Sequence, residues 1–152
     1  MTYNQVLEKL KHFCAYQERC QHEVLQKLWG YNLDEHERLN IIAQLISENY
    51  LNEERFAIAF SEGKFRIKKW GRNKIKMKLK EKKVSPYCIQ KGLEAIEEEE
   101  YNSVLQSLII TKLDTTKASS VYQKKQKVAL HCYQKGYETD LIWEVINRLN
   151  QE

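Results

Sequence analysis

The sequence predicts an all-α fold: a tandem array of three three-helix repeats forming an elongated, curved rod. Three observations predict it. Proline occurs once and glycine five times in 152 residues, poor punctuation for a chain of short strands. Apolar residues recur at i, i+3/i+4 and i+7 along most of the chain, the period of helices with one inward stripe. The chain also matches itself when slid along its own length. Val24, Ile75 and Val128 fall at steps of 51 and 53, as do Leu28, Leu79 and Cys132, and Leu33, Val84 and Tyr137. Ile89/Ile142, Leu93/Ile146 and Ile96/Leu149 continue the match. The units implied are residues 1–49, 50–97 and 98–152, each a long helix, a short helix and a capped helix. A unit of about fifty residues is marginal alone, whereas stacked units bury their faces against one another.

The elements follow in order. Val6, Leu7, Leu10, Phe13 and Cys14 form one stripe over residues 3–17. A second helix covers about 21–30, with Val24, Leu25 and Leu28 inward and Gly30 as its stop. Asp34 is the expected N-cap of a third, with Glu35 and Glu37 in the favourable first turn and Leu39, Ile41, Ile42, Leu45 and Ile46 on its inner rows. Asn52 caps the next helix, which Trp70-Gly71 breaks. Residues 72–83 form a short basic helix with Ile75 and Leu79 inward. The run Lys74–Lys80 also alternates like a strand. Its Lys, Met and Leu content and the lack of a second strand decide for helix. Ser85-Pro86 is an N-cap followed by proline at the first helical position. Ile89, Leu93 and Ile96 continue that helix. Tyr101 to Leu113 carries another stripe, residues 114–120 are the loop, and Val121 to Lys135 is ended by Gly136. Thr139 caps a last helix with Ile142, Trp143, Ile146 and Leu149 inward.

The net charge of +4 hides a pattern. From Lys64 to Lys83 there are eleven Lys/Arg against one acid, Glu81. The chain before and after this stretch is slightly acidic. The candidate contact residues are therefore Lys64, Arg66, Lys68, Lys69, Arg72, Lys74, Lys76, Lys78, Lys80, Lys82 and Lys83, and the partner they fit is a polyanion or an acidic protein surface. Lysine suits phosphates as a flexible point charge, without base readout. Phe65 and Trp70 interleave with the basic residues in a pattern able to stack on bases, although packing is the stronger expectation for Trp70. Arg72, Lys74, Lys76 and Lys78 are expected to be exposed. Arg55 is expected to pair with an acid or a helix C-terminus, and Phe56 and Phe60 to pack.

Nothing builds an active site. The four histidines, His12, His22, His36 and His131, have no acid–base or metal spacing, and no glycine-rich phosphate loop exists. Cys14, Cys20, Cys88 and Cys132 show no CxxC pair and read as buried free thiols in a reducing compartment. No apolar run approaches eighteen residues and the N-terminus has no signal-peptide core, so a cytoplasmic chain is expected, with no cofactor, no metal and no membrane contact.

The central unit carries Tyr50-Leu51-Asn52-Glu53-x-Arg55-Phe56-Ala57-x-x-Phe60, then Lys64, then Gly71-x-x-Lys74-Ile75-x-x-x-Leu79-x-x-Lys82-x-Val84. With Glu23-Val24-x-x-Lys27-Leu28 before it and Lys127-Val128 through Tyr133-x-x-Gly136-Tyr137 after it, this resembles the RecX regulators of the bacterial RecA recombinase over nearly the whole chain. Two departures fall on caps and turns: Lys83 where the family usually has glycine, and Cys20 where it usually has serine at an N-cap. The third unit is divergent. The resemblance implies a non-enzymatic modulator. Such a protein would bind RecA and the RecA–DNA filament as a monomer, lie in the filament groove, and restrain ATP hydrolysis and strand exchange. The competing reading is a stand-alone helical module that binds single- or double-stranded DNA directly.

Overall fold

The computed structural model describes residues 1–150. Among these residues it is all-helical, with no strand. The α-helices are α1 (Tyr3–Tyr16), α2 (Gln21–Leu28), α3 (Glu35–Ser47), α4 (Glu53–Gly63), α5 (Arg72–Glu81), α6 (Pro86–Glu94), α7 (Glu98–Thr115), α8 (Val121–Gln134) and α9 (Thr139–Asn150), and a π-helical segment, Lys64–Lys68, extends α4.

Local chemistry sets most boundaries. The Thr2 hydroxyl accepts from the Gln5 N–H while the Gln5 side chain accepts from the Thr2 N–H, a reciprocal cap that satisfies two otherwise orphan donors. Asp34 and Glu37 do the same for α3. Asn52 caps α4 through the Arg55 N–H at 2.9 Å, Ser85 caps α6 through the Cys88 N–H, and Ser120 caps α8 through the Gln123 N–H. Cys20 stands at the N-cap of α2, fully buried, with its N–H on the Glu23 carboxylate. At the C-termini, α5 and α8 close alike. Val84 N–H reaches back to Leu79 C=O and Lys83 N–H to Lys80 C=O; Tyr137 N–H reaches Cys132 C=O and Gly136 N–H Tyr133 C=O. This closure needs a left-handed residue just past the helix, and Lys83 (φ 61°) and Gly136 (φ 104°) supply it.

Several expectations change. Thr139 does not cap α9. It is the first helical residue, and Glu138 stands before it with its carbonyl on the Ile142 N–H. The helix after Asn52 ends just before Trp70-Gly71, and it widens into the π-helical turn Lys64–Lys68 before stopping at Lys69, which is left-handed at φ 58°. On α3 the buried positions are Ile41 and Leu45, while Leu39 and Ile46 are exposed, because the apolar arc is wider than the surface it packs against. On α9 Val145 is buried with Ile142 and Ile146, and Trp143 is only half-buried.

The chain forms two compact units, Met1–Phe60 with Leu79–Gly92, and Ser61–Lys78 with the chain from Leu93 onward. In the first, α3 packs on α1 and α2, and Val6, Leu10, Val24, Leu28, Ile41 and Leu45 are nearly or wholly excluded from water. Arg55 ties its polar edge. Its Nε lies 2.7 Å from both Glu18 carboxylate oxygens, and its terminal nitrogens donate to the side chain and carbonyl of Asn49, beyond the end of α3. In the second, α7, α8 and α9 pack pairwise around Leu105, Ile109, Val128, Cys132 and Ile146.

Candidate anion-binding surface

Two glycines shape the basic stretch in the second unit. A Cβ on Gly71 would lie 2.3 Å from the Gly136 carbonyl carbon, and one on Gly136 would lie 2.4 Å from Lys74 Cβ. This approach lets Gly71 N–H donate to Lys135 C=O at 2.8 Å and Asn73 N–H to Gly136 C=O at 2.9 Å. Tyr137 Oη donates to Lys69 C=O at 2.9 Å and Lys135 Nζ to Lys68 C=O at 3.0 Å. Residues 68–73 are thus pinned on the C-terminal end of α8 by two backbone and two side-chain donors.

Behind the pin lies a buried aromatic row. Phe65, Tyr101 and Tyr137 stack with centroids 5.7 and 5.1 Å apart. Tyr101 Oη accepts from the Arg72 N–H at 3.0 Å and donates to the Glu138 carboxylate. Burial, then that carboxylate, push the phenol well above its ordinary range.

Against this frame the candidate residues divide. Arg72 is not the exposed contact residue expected. Its guanidinium lies 2.7 Å from Glu138, pairs with Glu98, and sits 3.8 Å from the Tyr101 ring centroid, leaving the side chain 22% exposed. Lys82 is tied to Glu23 at 3.1 Å and faces the Phe60 ring. Arg66 pairs with Glu62 and Glu100 but stays exposed. Lys64 and Lys74 hold their ammonium groups 5.3 and 4.7 Å from the centroid of the half-buried Trp70 ring, so Trp70 serves the surface as well as the packing. Lys74 and Lys78 are half-buried, not exposed. Lys68, Lys69, Lys76, Lys80 and Lys83 are exposed and in no ion pair among the described residues. Ile75 and Leu79 are fully buried, as the helical reading of this run requires.

Sequence reasoning missed Lys135 and Lys112. Burial, then Lys74 and Lys69, hold the Lys135 amine below its usual range, with Lys112 a further repulsive neighbour. Burial, Lys112 and Lys135 likewise lower His131. The Gly71–Gly136 contact, between segments 65 residues apart in sequence, brings Lys69 and Lys74 beside Lys135, and the packing of α7 on α8 adds Lys112.

Among the described residues no group of His, Cys, Asp and Glu is placed to hold a metal ion, and no helix is long and apolar enough to cross a membrane. Cys14, Cys20 and Cys132 are buried and Cys88 half-buried, all as free thiols.

Comparison with known proteins fits this geometry. Residues 52–93 match the model of the RecX second three-helix domain, and residues 98–146 that of the third. The regulatory protein RecX of Lactobacillus gasseri is 28% identical over 140 residues, covering 92% of this chain and 52% of that protein. That of Oceanobacillus iheyensis is 27% identical over 139 residues, covering 91% and 51%. The chain therefore spans about half the length of these curated relatives. The crystal structure of RecX from Lactobacillus salivarius superposes with a TM-score of 0.88 at 20% identity, covering 99% of this chain and 97% of that one, and shows the same fold. The two domain models cover well over half of the sequence in the expected order, and the chain belongs to the RecX family of regulatory proteins.

Proposed function

We propose that this chain binds RecA and the RecA–DNA filament and restrains recombinase and ATPase activity by occupying the filament groove, acting in the cytoplasm as a monomer, by binding and not by catalysis. The observation that carries this reading is the set of exposed lysines without ion pairs, Lys68, Lys69, Lys76, Lys80 and Lys83, on a family of regulatory proteins. Three three-helix repeats, residues 1–49, 50–97 and 98–152, would carry these lysines. The lysines, with Lys64, Arg66, Lys74 and Lys78 beside them, supply the attraction. Arg72 and Lys82 serve as positioning residues, since both are spent on internal carboxylates.

The test is the double variant Lys76→Glu, Lys80→Glu, whose side chains are exposed on α5. Inhibition of RecA ATPase should fall at least tenfold while the thermal melt stays unchanged, and inhibition should weaken as salt rises. Full inhibition by a folded double variant would sink the role of this surface. Binding to RecA–DNA filaments and to bare DNA at matched salt separates the competing reading: strong DNA binding with no added affinity for filament would replace this proposal by a stand-alone nucleic-acid module.

A further inference from the structure

A second feature of the Ser61–Lys78 and Leu93-onward unit lies outside α5. A groove of about 340 Å³ runs along α7, lined by Lys69 and Lys112, by Val104 and Leu108, and by Ser103, Ser107 and Thr111. The three hydroxyl residues recur at i, i+4 and i+8, one row of α7 about 12 Å long at 1.5 Å per residue. Their hydroxyls make no hydrogen bond among the described residues. Hydroxyls on a helix are often spent on the carbonyl one turn back; these are left open.

The positive charge around the groove is uncompensated. Lys69, Lys74, Lys112 and Lys135 enter no ion pair among the described residues, and Lys135 is a neighbour of the other three. Like charges held together cost stability unless an anion shields them. Lys69 adds a second cost: at φ 58° it holds a backbone conformation that favours glycine. Its carbonyl is fixed there by Tyr137 Oη. A lysine kept at a glycine-favouring position, aimed into a groove beside other lysines, is a local cost of the kind that accompanies binding sites.

We propose that this α7 groove binds a nucleoside phosphate, with the phosphate oxygens on Lys69 and Lys112 and on the serine and threonine hydroxyls, and the sugar and base against Val104 and Leu108. A phosphate offers several acceptor oxygens in three dimensions and so can engage lysines and hydroxyls together. A carboxylate offers two oxygens in one plane, a poorer fit to cations arriving from α7 and from the turn at Lys69 together with a row of hydroxyls. The volume lies at the lower end of the range for small-ligand sites, and the apolar strip suits a base. The site is independent of the filament reading, since it needs no RecA.

The full chain is titrated separately with ATP and with a short oligothymidylate, at low salt and without RecA, and binding is read by calorimetry. The wild type should bind at least one of them. Saturation by ATP marks a free nucleotide as the ligand; binding of the oligonucleotide alone marks a strand. Lys69→Gly is the decisive variant because glycine relieves the left-handed backbone. It should melt no lower than wild type and lose at least fivefold in affinity. Lys112→Glu should lose tenfold or more. The inference is overturned if neither ligand binds, if both variants bind as tightly as wild type, or if a poly-glutamate peptide of equal charge binds as well as the ATP or the oligonucleotide. RecA is absent throughout, so such a failure leaves the filament reading standing, and failure of the α5 variant to lose inhibition leaves this one standing.

Discussion

Arg72 joins three parts of its unit at once. Its N–H meets the Tyr101 hydroxyl, its guanidinium bridges Glu138 and Glu98, and its central carbon lies over the Tyr101 ring. Glu98 is mostly exposed and contributes little. Glu138 is 25% exposed and also accepts the Tyr101 hydrogen bond, so deleting the cation leaves a half-buried carboxylate with one partner fewer. Arg72→Ala should therefore cost about 2–4 kcal/mol in urea unfolding, and Arg72→Lys should recover only part, because an ammonium cannot fork between two carboxylates and stack as well. A cost within 0.5 kcal/mol for Arg72→Ala would contradict this network. The left-handed residues teach a related lesson. Lys83 stands where the family usually has glycine, and at φ 61° it occupies a conformation that explains such a preference.

At the scale of the element, α5 and its lead-in show how one stretch meets two demands. The alternation of Lys74–Lys80 is compatible with a strand, yet the run is helical, with Ile75 and Leu79 buried one turn apart. Around it, the Gly71–Gly136 contact determines where the basic side chains sit. Gly71→Ala puts a methyl group against backbone atoms of residues 136 and 137, all within 2.4 Å of the new Cβ. Backbone cannot step aside as a flexible side chain can, so the variant should lose about 2–4 kcal/mol. Its Lys135 amine should also titrate closer to the usual lysine range, because the pinned turn holds Lys69 and Lys74 beside it. An unchanged melt would show that the two segments separate cheaply.

At the scale of the whole molecule, the thiols report folding. Burial pushes Cys14, Cys20 and Cys132 up to about 11 from 9.0. Between these values the unfolded thiols ionise while the native ones stay protonated. The native state then binds more protons, so stability falls as pH rises from about 9 to about 11 and is unaffected by these groups below that window. In native protein at pH 8, a thiol reagent should modify Cys88 first and the other three only at the rate of opening; equal reactivity of all four would contradict the buried assignment.

The all-helical class and several caps were legible in the sequence because they rest on local chemistry: hydrophobic period, Asp34, Asn52 and Ser85 at helix starts, and Gly136 at a stop. The concentration of charge between Lys64 and Lys83 was legible for the same reason. Which of those charges face solvent was not. That depended on acids far along the chain, with Glu98 and Glu138 claiming Arg72 and Glu23 claiming Lys82. It depended also on two glycines, 71 and 136, whose close approach gathers Lys69, Lys74 and Lys135. A sequence determines periodicity and total charge by itself; which charges are neutralised and which are left together is decided by contacts between distant segments, and those exist only in the tertiary structure.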